Sequence, residues 1–136
     1  MAWVRCCGGS SKKGDTPIVN SSGQFVGASY RPFSAFTQGS NYFQYSRLNG
    51  TAGYIESLPK GYHYLVIKGY GTTALSNFGI TFGSINRFVG GAGGASVTAI
   101  IDISGEPDVT TLQCFIYDHD NTSFRITEMY LTDSTN

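Results

Sequence analysis

Glycine and turn-forming residues cut this chain into short pieces, and that segmentation limits its fold more than any other feature. Eighteen glycines fall among 136 residues, so almost no window is long enough for an amphipathic helix. Good helix formers are scarce, with four lysines, three glutamates and two methionines. What recurs is a run of about five to nine residues, rich in Val, Ile, Tyr, Phe and Thr, that alternates in polarity and ends at Gly, Asn, Asp or Ser.

Taken in order, the runs are 24–30, 41–48, 52–58, 62–70, 78–83, 85–89, 96–103, 111–117 and 123–132. Asn49-Gly50 separates the second from the third, and both residues tolerate positive φ, so the pattern predicts a hairpin there. The most continuous apolar run, 62–70, is expected at the centre of a sheet. Val97, Ala99, Ile101 and Ile103 share one face of their run, as do Leu112, Cys114 and Ile116. About eight or nine short antiparallel strands with frequent turns predict an all-β protein, a jelly-roll-like β-sandwich in preference to an up-and-down barrel. The last run fits a mid-sheet position, as final strands often take in Greek-key connections.

Residues 1–14 stand outside this pattern. "MAWVRCC" carries Trp3, Val4, Arg5, Cys6 and Cys7, and "GGSSKKG" has the composition of a flexible connector. The division expected is therefore a docking arm and linker over 1–14 and a β-sandwich domain over 15–136. Tryptophan is a preferred interface anchor, so the arm is expected to seat on another copy or a larger assembly. An edge strand on its own domain is the alternative.

Charge narrows the partners. Nine basic and nine acidic side chains cancel, and the only basic cluster is Lys12-Lys13, which speaks against nucleic acid. No run approaches the ~18 apolar residues of a membrane span, and the opening is too short for a signal-peptide core of about 7–15 residues. Cys6, Cys7 and Cys114 cannot all pair within one chain, and no CxxC or HxxxH spacing supplies a metal set, so reduced thiols and no cofactor are expected. Cys114 lies in an alternating apolar run and is expected to be a small buried hydrophobe.

The polar cluster Tyr117, Asp118, His119, Asp120 and Asn121 is the candidate ligand-binding stretch. Three readings stand: an ordinary turn, a glycan or partner contact, and an oxygen-rich cation site. The turn is favoured over the cation because the Gly and distal Glu of a calcium loop are missing. No serine sits in GxSxG, and the carboxylates form no recognisable glycosidase pair, so the chain is not expected to be an enzyme. Nine tyrosines and nine phenylalanines exceed the needs of one small core, and outward tyrosines would suit sugar recognition or subunit packing. The glycine-rich 90–95 reads as a mobile loop or as a close approach of another backbone.

The opening "MAWVRCCGG" resembles the starts of phage-type open reading frames, and "FRITEMYLTD" resembles the last strand of jelly-roll modules in tail fibres, baseplates and carbohydrate-binding domains. Together with the small Gly/Tyr/Phe-rich sandwich, the chain resembles small virion proteins of bacteriophages and prophages. That resemblance implies a homo-oligomer, often a trimer, that docks on other virion proteins through its N-terminal segment and turns a β domain outward. It implies a virion location and, for the outward domain, a host-surface glycan. A free-standing bacterial lectin-like module is the second reading, and an unrecognised glycan hydrolase the third.

Overall fold

The structure, a computed structural model, describes residues 14–133. The docking residues Trp3, Val4, Arg5, Cys6 and Cys7, and most of the 1–14 arm, lie outside the described residues.

The described chain is an all-β sandwich. Eleven strands are formed: β1 (Thr16–Val19), β2 (Ser29–Arg31), β3 (Phe36–Gln38), β4 (Phe43–Arg47), β5 (Gly53–Glu56), β6 (Tyr64–Gly71), β7 (Phe78–Phe82), β8 (Ile85–Gly90), β9 (Val97–Asp102), β10 (Leu112–Ile116) and β11 (Thr122–Thr132). The first sheet runs β3-β4-β11-β6-β9, and the second runs β2-β5-β10-β7-β8. Every pairing is antiparallel. From β4 onward the chain crosses between sheets at every connection except the β7–β8 hairpin, which gives the jelly-roll order β4-β11-β6-β9 facing β5-β10-β7-β8.

Alternation builds the core. Leu112, Cys114 and Ile116 of β10 are buried and the residues between them are not, as are Phe43 and Tyr45 of β4 and Ile101 and Ile103 at the end of β9. Phe78 of the second sheet stacks on Phe124 of the first, with centroids 4.1 Å apart and rings 5° from parallel. The long β11 spans the first sheet's middle, bonding β4 along its first half, β1 along its second half and β6 on its other side. A bulge between Ile126 and Glu128 lets Ile126 and Met129 both face the core although three residues apart.

Three expectations are corrected. The strands number eleven rather than about eight or nine, because β1, β2 and β3 are only four, three and three residues long and carry no readable period. Run 24–30 is a strand only at its end, although Phe25 bridges to Val19. The Asn49-Gly50 turn is real, with φ of 54° and 71° and Thr51 N donating to Leu48 O at 3.0 Å. Yet β4 and β5 do not pair: each joins a different sheet. A strand facing the core between two sheets alternates identically whichever sheet it belongs to, so local pattern cannot choose.

The glycine-rich segment packs against its own chain. Gly71 N donates to Gly91 O at 2.7 Å and Gly93 N to Thr73 O at 2.8 Å. Gly91 has φ 81°, and a Cβ there would stand 3.0 Å from the Phe124 ring, so glycine is required. The backbone that comes close is therefore the end of β6.

Candidate binding surfaces

Residues that alternate away from the core define what the sandwich shows to solvent. On the second sheet, register aligns Arg31, Tyr54, Gln113, Thr81 and Asn86 in one row across all five strands. The Arg31 guanidinium lies 4.2 Å from the centre of the Tyr54 ring and donates through Nε to Glu56 Oε2 at 2.8 Å. Thr81 Oγ1 donates to Asn86 Oδ1 at 2.5 Å.

The next row is Phe115, Gly79 and Phe88. The Phe115 ring lies across Gly79, where a Cβ would stand 2.8 Å from it, so glycine lets the ring lie flat on the sheet. Tyr117 meets Phe115 edge-to-face at 4.9 Å and reaches Phe88 at 6.4 Å. Phe88 is 61% exposed and Tyr117 42%. These three rings and the polar row beside them form an aromatic platform edged by amide and hydroxyl groups.

The predicted stretch 117–121 divides at this platform. Tyr117 joins it, whereas Asp120 and Asn121 fasten the β10–β11 loop to the β4–β5 turn. Asp120 Oδ1 accepts from Gly50 N at 2.7 Å and from Arg47 Nε at 2.8 Å. Those two donors, the backbone N–H foremost, hold the Asp120 carboxyl below the usual carboxylate range. Arg47 Nη1 also donates to Ile116 O, and Asn121 N donates to Arg47 O, each at 2.8 Å. Asp118 and Asn121 take left-handed backbone, at φ 64° and 62°, as turn residues do. His119 contributes its carbonyl to the Thr122 hydroxyl at 2.7 Å. Among the described residues, no three His, Cys, Asp or Glu side chains stand close enough to hold a metal ion.

Phe88, Phe115, Gln113, Thr81 and Asn86 were not picked out by the sequence reading. For β10 the signal was present: if Leu112, Cys114 and Ile116 face inward, Gln113, Phe115 and Tyr117 face outward.

A second feature lies on the other sheet. Asp15, Pro17, Asn20, Ser21, Glu128 and Tyr130 line a groove of ≈ 370 Å³ beside β1. Pro17 and Tyr130 are register partners across β1 and β11, and Glu128 is in an ion pair with Lys68 at 3.3 Å. Asn20 is held in place by its Oδ1, which accepts from Ser22 N at 3.0 Å and Gln24 N at 3.1 Å.

Cys114 is as expected a buried apolar side chain, and burial alone pushes its thiol up to about 12. Comparison with known proteins found no matching family model and no matching curated protein. Fold and surface together define a jelly-roll-type β-sandwich that carries an aromatic–polar face outside its core.

Proposed function

We propose that this chain is a non-enzymatic, self-associating structural component of a phage-type virion, of the tail, fibre or baseplate kind, whose sandwich binds host-surface glycan. The carrying observation is the platform of Phe88, Phe115 and Tyr117, because large exposed rings contribute nothing to the core already closed beneath them. A pyranose has one face of C–H groups and a rim of hydroxyls. The first stacks on aromatic rings, and the second takes hydrogen bonds from the amides of Gln113 and Asn86 and gives one to the Thr81 oxygen, whose proton lies on Asn86 Oδ1.

A glycan array probed with the full chain tests the ligand. Binding that disappears in Phe88→Ala and Tyr117→Ala, with unchanged melting, supports the reading; an array with no signal refutes the glycan part. Sedimentation at increasing concentration tests self-association, and a monomer throughout refutes that part. The platform equally suits a free-standing lectin-like module, and a glycan-binding monomer would establish that reading instead.

A further inference from the structure

The groove beside β1 has a complementary occupant within the same sequence. Its lining includes the rings of Pro17 and Tyr130 and the carboxylates of Asp15 and Glu128. Lys68 shares Glu128, whereas Asp15 has no ion-pair partner among the described residues. The groove's ≈ 370 Å³ falls within the roughly 300–1,000 Å³ of clefts that take small ligand groups.

Residues 1–14 hold Arg5, Lys12 and Lys13 and no acid, with Trp3 two residues before Arg5. In an extended segment, side chains two apart project to the same side. Bound in extended form, Trp3 and Arg5 would present a ring and a cation together, as the groove presents rings and an acid together. We infer that the groove receives residues 1–9 of a second copy of this chain, with Trp3 against Pro17 and Tyr130 and Arg5 facing Asp15.

This inference rests on the self-association proposed above and supplies its surface. The described chain emerges at Gly14, beside the groove's own Asp15. The intervening stretch of about a dozen residues can span up to roughly 40 Å, enough to reach a neighbour. Inserted segment and receiving groove are different patches, so the contact closes by reciprocal exchange between two copies, closes a larger ring, or propagates as a filament.

Sedimentation of the full chain reads the contact. Trp3→Ala is expected to raise the dissociation constant about thirty-fold, the effect of removing an interface anchor. Asp15→Arg is expected to raise it about tenfold, and adding Arg5→Glu to that variant to restore most of the loss. Ser21 is exposed and lines the groove, so Ser21→Cys is expected to be linked to Cys6 or Cys7 by a short bis-maleimide, giving dimers and larger species beyond those of the unsubstituted chain. Association that survives Trp3→Ala and Asp15→Arg unchanged overturns the groove while leaving self-association standing. A cross-link found only within single chains overturns the second-copy occupant. A full chain that stays monomeric overturns both this inference and the self-association reading.

Discussion

Gly53→Ala is the substitution that most directly interrogates how β4 and β5 are arranged. Gly53 opens β5 in the second sheet, and a Cβ built on it would stand 2.5 and 2.7 Å from the Phe36 ring and 2.9 Å from Tyr45 Cδ1. Both rings belong to the first sheet. Phe36 cannot easily yield, because it stacks on Phe43 at 5.2 Å and packs against Tyr30 at 5.0 Å. Gly53 does not occupy the left-handed region, so the substitution adds bulk without backbone strain. Overpacking of this kind costs about 1–3 kcal/mol. For a chain of this length the melting temperature should fall by about 3–5 °C per kcal/mol, hence by roughly 3–15 °C. Phe36→Leu removes the obstructing end of the ring and alone costs about 1–2 kcal/mol. The double variant should then be little worse than Phe36→Leu, a favourable coupling of about 1–2 kcal/mol in a thermodynamic cycle read by urea unfolding. Had 49–50 closed a hairpin, Gly53 would face Ser46 across one sheet and would not feel Phe36. Additive effects of the two substitutions would refute the cross-sheet packing.

Three further outcomes are expected. Asp120, its folded carboxyl held below the usual carboxylate range by Gly50 and Arg47, contributes stability that is complete above the unfolded pKa and lost as pH falls through the lowered folded one; melting of Asp120→Asn should therefore lie below the parent at neutral pH and converge with it as the pH falls below the carboxylate range. Cys114, with its thiol raised to about 12 and no exposure, should escape maleimide labelling at pH 8 in peptide mapping until denaturant unfolds the chain. Phe88→Ala should leave melting unchanged, a surface substitution being worth within about 0.5 kcal/mol, and leave the sedimenting mass unchanged while abolishing glycan binding.

The strands from β4 onward other than β5 were legible because each runs over five or more residues, with β7 and β8 also joined by the Gly83 turn at φ 63°. β5, only four residues, was read from its alternation, and its partner was not. β1 was missed because Pro17 interrupts it and its register slips between Pro17 and Val19. The bulge in β11 hid in plain sequence: Phe124 and Ile126 fall on even positions and Met129 and Leu131 on odd ones, a break in period that marks an extra residue. Of the candidate site, Tyr117 was legible and its neighbours on β7 and β8 were not. Thr81, Asn86 and Phe88 become a surface only when the register sets them beside Gln113 and Phe115, and register between strands distant in sequence leaves no local mark.

Both outward faces pair much of their own polar surface, the second sheet through Arg31 with Glu56 and Tyr54 and through Thr81 with Asn86, and they differ in the rings they leave exposed. On the first sheet, cross-strand neighbours consume one another's polar groups. Arg125 donates to Gln44 Oε1 at 2.9 Å while its guanidinium covers Tyr42 at 4.2 Å, Ser46 bonds Ser123 at 2.7 Å, and Lys68 pairs with Glu128. Such exposed pairs add little stability, but they leave few groups turned toward a ligand. The second sheet, beside its own pairs, leaves the rings of Phe88 and Tyr117 exposed. The groove of Pro17 and Tyr130 lies on the first sheet's side, and the platform lies on the second. Copies joined through the groove would therefore keep their platforms open, and several weak saccharide contacts would act together on one surface. Weakening the groove contact should then spare binding to a soluble monosaccharide and reduce retention on a glycan-coated surface by tenfold or more, an effect of about 10²–10⁴ being usual for linked sites. Equal loss in both assays would place the two surfaces in contact and undo the separation.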